Sequence, residues 1–307
     1  MQNNYQLSII NYQLSINGQL GSGKSAVCDF LKEKYGFLIF STGQMHRQLA
    51  KERGLTAIQF NEFLKTDSEI DDFIDKSCIR FHEENRGENI IFDSRLAWHF
   101  IADTFKIFLM VSPAIAANRV FKTRIVEEKY QTKDDALAEL ITRRELENER
   151  FVKLYGVDCN DYQNYDLLLD TSCLNIEQVA ETIMAAYRAK AAGKEYDRVL
   201  CFPQNLYPTV KISALDMARV QYYMEKIRNG EELAPVSLIR YRNELFIHDG
   251  HHRVLAGCRM KLPAMRCTID SQEHDMPLTL TLSDIHAWEE AGGFTFGFYP
   301  EIFNGSR

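Results

Sequence analysis

Apolar and polar positions repeat at two periods along the first 190 residues of this 307-residue chain. Short apolar runs at 12–17, 37–41, 89–93, 106–111 and 166–170 predict β-strands. Between them, apolar residues recur at helical spacing over 24–35, 43–53, 68–86, 113–128, 132–155 and 175–190. Strands that are apolar throughout, alternating with helices, predict an α/β fold: a parallel sheet with helices on both faces. Ligands of such folds sit beyond the carboxyl ends of the strands.

The pattern changes near residue 190. The stretch 189–196 is small and charged, with a glycine after a long helix, and reads as a linker. Beyond it the helices shorten and most of the prolines occur. The expected organisation is an extension at 1–10, an α/β domain at 11–190, a linker at 191–196, a small α+β domain at 197–275 and a tail at 276–307. Asn-Tyr-Gln-Leu-Ser-Ile occurs at 4–9 and again at 11–16, and only the second copy can feed the next motif. The aromatic stretch at 292–300 is expected to pack on the body of the protein rather than bind a ligand.

Residues 18–25 read Gly-Gln-Leu-Gly-Ser-Gly-Lys-Ser, a complete phosphate-binding loop of the form G-x-x-x-x-G-K-[ST]. It lies between a predicted strand and a predicted helix, as its chemistry requires. Gly18, Gly21, Ser22 and Gly23 let backbone N–H groups curl around phosphate oxygens. Lys24 can reach the β- and γ-phosphates, and the Ser25 hydroxyl can ligate Mg²⁺. The helix start behind the loop favours an anion. ATP and Mg²⁺ are therefore the expected nucleotide and metal.

Composition narrows the class. The chain is 45% hydrophobic and 26% charged, which is ordinary for a globular protein. A net charge of −7 argues against broad nucleic-acid binding. No apolar run approaches the ~20 residues of a membrane span. No secretory signal is evident at the N-terminus. Seven cysteines without C-x-x-C spacing read as reduced thiols, so a cytoplasmic protein with no membrane partner is expected.

Phosphate transfer needs cations around the moving group, a held metal and a closing lid. Arg47, at the start of a helix after the second strand, suits an acceptor phosphate. Asp93 ends the third strand, where a carboxylate can hold Mg²⁺ through water. Arg95 fits a bidentate phosphate clamp, with a surface ion pair as the lesser alternative. Arg143, Glu147 and Arg150 fall on one helix face. With Arg119, Arg124 and the charged connection at 127–133, they read as a mobile lid or as a solvated, salt-bridged face.

Four blocks in this order resemble cytidylate kinases, especially the compact archaeal-type branch. They are 18–25; Ser41-Thr-Gly-Gln-Met-His-Arg47 and its continuation to Gly54; Asp93-Ser-Arg95-Leu-Ala-Trp98; and 143–156. The resemblance covers the first domain. It implies Mg·ATP in the loop and CMP or dCMP as acceptor. It implies that Arg47 and Arg95 hold the acceptor phosphate, and that Arg143, Glu147 and Arg150 belong to the lid and the phosphate clamp. Three positions depart from the pattern. His46 stands where an aromatic or apolar residue is common, and Asp93-Ser94 where Glu-Gly is.

A second motif lies at 246–256: Phe-Ile-His-Asp-Gly-His-His-Arg-Val-Leu-Ala. An apolar strand runs into Asp249, expected as a helix cap, and Gly250, expected as a tight turn. His251, His252 and Arg253 then surround a helix start, which fits phosphate better than metal, because the two histidines on the expected helix are adjacent rather than at i, i+4. Residues 205–270 resemble the ParB/sulfiredoxin superfamily, whose G-x-x-R element implies nucleotide binding. The sulfiredoxin cysteine is replaced by His251, and no helix-turn-helix module follows.

The leading expectation is an ATP-dependent phosphotransferase acting on CMP or dCMP, with a second nucleotide-binding domain. Two others stand beside it. One is a kinase for a small metabolite such as free serine, using the C-terminal domain. The other is a non-catalytic nucleotide sensor.

Overall fold

The computed structural model describes residues 11–65, 69–128, 132–241, 244–270 and 282–290. In chain order the elements begin β1 (Gln13–Gly18), α1 (Lys24–Tyr35), β2 (Leu38–Ser41), α2 (Thr42–Glu52), α3 (Ala57–Leu64) and α4 (Glu69–Glu84). Next come β3 (Ile90–Asp93), α5 (Ala97–Phe100), β4 (Phe105–Met110), α6 (Pro113–Glu128), α7 (Lys133–Tyr155), β5 (Leu167–Asp170) and α8 (Ile176–Ala191). The last are β6 (Val199–Cys201), α9 (Met217–Arg228), β7 (Val236–Tyr241), β8 (Glu244–Asp249), α10 (His251–Arg259), β9 (Met265–Ile269) and α11 (Leu282–Glu290).

The chain divides into two compact units. The first is Met1–Gly18, Gly23–Phe108 and Glu139–Tyr165; the second is Gln19–Ser22, Leu109–Ala138 and Asp166–Arg307. In the first, the strands run in the order β2-β3-β1-β4. β1 and β2 both pair in parallel with β3, which sets Ser41 opposite Asp93 at the carboxyl end. Every position of β1 and β3 is buried, as expected of a sheet covered on both faces. Two apolar clusters cover it: Ala50, Phe60, Leu64, Ile70 and Ile74; and Cys78, Ile90, Phe92, Ala97 and Ile101.

In the second unit the order is β5-β6-β9-β7-β8. β5–β6 and β7–β9 are parallel, whereas β6–β9 and β7–β8 are antiparallel. The pairing in the first unit is thus parallel, as an α/β fold requires, whereas the second unit has parallel and antiparallel pairs in equal number. The 191–196 segment joins α8 to β6, whose partner β5 precedes α8.

Local signals explain the element ends. Gly36 closes α1 in the left-handed region (φ 73°) and returns its N–H to the Lys32 carbonyl. Capping boxes at Thr56/Gln59 and Asn175/Gln178 start α3 and α8.

The five expected strands appear within a residue of their predicted ends. α3 was not anticipated, because its eight residues are too few for a clear period. A 3₁₀ turn occupies Ile212–Ala214, and α9 starts at Met217, where Asp216 accepts from the Ala218 N–H. α11 lies inside the predicted tail and buries Trp288. The extension at 1–10, the Arg124 side chain, residues 129–131 of the expected lid and the 292–300 stretch lie outside the described residues. Cys28, Cys78, Cys159, Cys201, Cys258 and Cys267 are buried free thiols, and Cys173 is exposed.

Candidate functional site

The loop after β1 has the shape its glycines permit. Gly21 and Gly23 hold φ of 81° and 83°, in the left-handed region that favours glycine. A Cβ on Gly21 would fall 2.8 Å from the Cα of Ala116, so this position is also closed sterically. Gly23 caps α1 without any side-chain hydrogen bond, and the first turn of α1 holds no acidic residue. The first N–H groups of α1 thus lack a side-chain acceptor, which fits an anion. On its other side the loop is held by its own carbonyls. Arg119 donates to Gly21 O at 3.3 Å, and the Thr171 hydroxyl lies 2.9 Å from Ser22 O.

Lys24 opens α1 and forms an ion pair with Asp93 at the end of β3. The parallel register brings Ser41 beside the same carboxylate, and its hydroxyl donates to Asp93 Oδ2 at 2.8 Å. Ser41 Oγ also accepts the Gln44 N–H, capping α2. Burial pushes the Asp93 carboxyl up. The opposing pull of Lys24, Ser41 and Arg95 is stronger and holds it below the ordinary carboxylate range. Ser25, the other predicted metal ligand, is exposed. Among the described residues no three His, Cys, Asp or Glu side chains converge as a metal cage. Mg²⁺ rarely uses such a cage; one carboxylate, a hydroxyl and substrate phosphates suffice, so Ser25 and Asp93 fit it.

The predicted arginines divide into two groups. Arg95 Nε donates to Glu147 Oε2 at 3.0 Å, and its Nη1 donates to Gly18 O and, at 3.3 Å, to Asn17 Oδ1. It therefore links the loop entrance to α7. Burial raises the Glu147 carboxyl, but Arg95, Arg143 and Arg150 together hold it below its usual range. Arg143 is buried on the same helix. Arg150 is committed elsewhere: its Nε lies 3.2 Å from Asp71, and its Nη1 donates to Asn61 at 2.8 Å. The solvated-face reading of α7 is corrected here, because Arg143 and Arg150 are 8% and 3% exposed. Arg47 is exposed on α2. Beside it, His46 meets Phe60 edge-on at 5.8 Å. Burial and then Arg150 lower the His46 imidazole to about 4, so it is neutral at pH 7.

Asn17 and Tyr165 were missed from sequence. Asn17 Nδ2 donates to the Tyr165 hydroxyl at 2.6 Å, which donates to Cys159 O at 2.8 Å. The only available signal was a polar residue ending an apolar strand.

The C-terminal motif folds differently from expectation. Gly250 (φ 112°) is the N-cap of α10, with no side-chain cap. Asp249 is therefore not the cap. It accepts from Arg253 Nη2 at 2.8 Å. Arg253 Nη1 also donates to Ala234 O and Pro235 O, both at 3.0 Å, and a Cβ on Gly250 would crowd this guanidinium at 2.9 Å. His251 Nε2 accepts from the Thr209 N–H at 3.0 Å, and His252 Nε2 from the Asp216 N–H at 3.1 Å. Burial lowers both imidazoles, that of His251 to about 4. These side chains thus hold neighbouring backbone.

The family model described as cytidylate kinase-like matches residues 13–173. A cytidylate kinase of Pyrococcus furiosus is 34% identical over 177 residues, covering 56% of this chain and 86% of that enzyme. An S-adenosylmethionine-dependent nucleotide dehydratase of Lacinutrix mariniflava is 35% identical over 182 residues, 59% of this chain. The match spans only 37% of that protein. An uncharacterized protein from Eubacterium ventriosum, of solved structure, aligns over 59% of this chain and 99% of its own at 16% identity, with a TM-score of 0.45.

Proposed function

The chain belongs to the cytidylate kinase-like family, and from that premise we propose that it transfers the γ-phosphoryl of ATP to CMP or dCMP. Membership supports a kinase. The acceptor and the second nucleotide site belong to the proposal.

One observation carries it. The loop lysine, a strand-end carboxylate and a strand-end serine meet at the start of an uncapped helix. Loop N–H groups and Lys24 would bind the phosphates of ATP and orient the β–γ bond. Ser25 and Asp93 would hold Mg²⁺, which when bound neutralises phosphate charge. Arg47 and Arg95 would hold the acceptor phosphate in line, with Arg143 and Arg150 adding positive field from α7. No covalent intermediate is needed, since positioning and neutralisation lower the barrier. The neutral His46 beside Arg47 would meet the acceptor as a hydrogen-bonding group rather than a cation.

The rest of the proposal concerns 197–275. A ParB/sulfiredoxin-like module there would bind a second nucleotide at 249–253, through the uncapped start of α10. Arg253 would have to leave its carbonyl partners to reach a phosphate. The Lacinutrix mariniflava protein, named for chemistry on nucleotides, carries related sequence within a longer chain and supports a nucleotide setting. No helix among the described residues is long and apolar enough to cross a membrane, and we place the activity in the cytoplasm.

The test is ADP release from Mg·ATP with CMP, dCMP, UMP, AMP, GMP and free serine, for the native chain and Lys24→Ala. Turnover with CMP or dCMP that the variant loses supports the proposal. Serine turnover surviving the substitution would move the chemistry to the C-terminal region, and no turnover with any acceptor would favour a sensor.

A further inference from the structure

Three consecutive residues at the end of β5, 170–172, grip the chain on two sides. Thr171 is 1% exposed. Its hydroxyl lies 2.9 Å from Ser22 O and 3.0 Å from Met110 O, and its own carbonyl accepts from Arg119 Nη2 at 2.7 Å. Arg119 Nη1 in turn reaches Gly21 O at 3.3 Å. Thr171 and Arg119 thus hold two successive carbonyls of the phosphate loop.

The flanking residues face the 3₁₀ turn Pro203–Asn205 instead. Asn205 Nδ2 donates to Asp170 Oδ2 at 2.7 Å and to Ser172 Oγ at 2.8 Å. Asp170 Oδ1 accepts the Ser172 N–H at 2.9 Å, and Ser172 Oγ accepts the Ser112 N–H at 2.8 Å. Asp170 is 3% exposed. Burial pushes its carboxyl above the ordinary range, against the hydrogen bonds from Ser172 and Asn205.

We propose that Asn205 is a positioning residue for nucleotide binding, acting through the 170–172 strap on the phosphate loop. The peptide group is rigid and its C=O and N–H point in opposite directions. Holding the Ser22 carbonyl from one side therefore aims the Gly23 N–H to the other. Asn205 anchors both residues that flank Thr171, so its amide sets where the Thr171 hydroxyl stands. The family match ends at residue 173, whereas Asn205 lies beyond it. The loop of this chain is thus braced by a segment outside its kinase-like part. This inference rests on the reading of residues 18–25 as a nucleotide site.

Calorimetric titration of the full chain with Mg·ATP, without acceptor, tests it. Asn205→Ala is expected to raise the Kd about fivefold, the worth of one neutral hydrogen bond. Thr171→Val should do the same, and Thr171→Ser, which keeps the hydroxyl, should restore native affinity. Ile74→Ala, a core truncation in α4, serves as the stability control and should lower the melting temperature without moving Kd. Native affinity in both Asn205→Ala and Thr171→Val overturns the inference. So does a Kd in Ile74→Ala raised as far as in Asn205→Ala. Should Asn205→Ala fail to fold, the Thr171→Val and Thr171→Ser pair decides alone. Absence of ATP binding by the native chain overturns the underlying nucleotide-site reading, an outcome distinct from the others.

Discussion

Replacing Lys24 by methionine should destabilise the ligand-free protein as well as silence it. The substitution keeps most of the apolar stem and removes the ammonium. Asp93, its side chain 5% exposed, would then lose its ion-pair partner and keep only the Ser41 hydrogen bond and the field of Arg95 against burial. Breaking a buried ion pair from one side costs about 3–5 kcal/mol. Lys24 is 18% exposed, and the Ser41 hydrogen bond survives, so about 2–4 kcal/mol is expected. In a unit of this size that corresponds to a drop in melting temperature of roughly 4–16 °C. The double variant Lys24→Met/Asp93→Asn removes both charges and should recover most of the loss. Acidification supplies an independent check. The folded-state pKa of Asp93 is depressed, so the pairing stabilises above the unfolded value and fades as pH falls through the folded one. The gap between native protein and Lys24→Met should therefore narrow in acid. Thermal unfolding of all four members of the cycle, at neutral and acidic pH, reads these effects. Strict additivity of the two substitutions, or a single variant within about 0.5 kcal/mol of native, would refute the reasoning.

Gly21→Ala should lose nucleotide affinity and about 1–2 kcal/mol of stability, from the left-handed backbone and the Ala116 contact; ATP titration and melting check it. Arg150→Met should cost about 3–5 kcal/mol by stranding Asp71, with Asp71→Asn rescuing much of it in the double variant, measured by thermal unfolding. Burial raises the Asp75 carboxyl to about 6 despite its hydrogen bond from Tyr155. The folded state therefore holds a proton that the unfolded state has lost between about 4 and 6, and stability from this group falls as pH rises through that window. Asp75→Asn should melt higher than native protein at pH 7 and close to it at pH 3.5.

Local chemistry was legible in the sequence and long-range pairing was not. Residues 18–25 announce their strand, turn and helix, because the glycines, lysine and serine each need that backbone. Asp93 was placed at a strand end from five residues of pattern. Its partners Lys24 and Ser41 are 69 and 52 residues away, and only the parallel register brings them together. The helical face of Arg143, Glu147 and Arg150 could be read from spacing. Their burial could not, since charge spacing is the same on a wet face and in a packed one. Asp249 was misread as a cap because Asp is among the preferred N-cap residues. The competing signal was also local: Arg253 stands four residues on, at ion-pair spacing.

The cysteines have a practical consequence. Burial closes six of the seven to reagents and pushes the thiols of Cys78, Cys159 and Cys258 up to about 12. Cys173 alone is exposed, one residue past Ser172. The native chain thus comes with a single attachment point for a maleimide fluorophore, and no engineered cysteine is required. A dye there would sit beside the segment that holds the phosphate loop and could follow ATP arriving in real time.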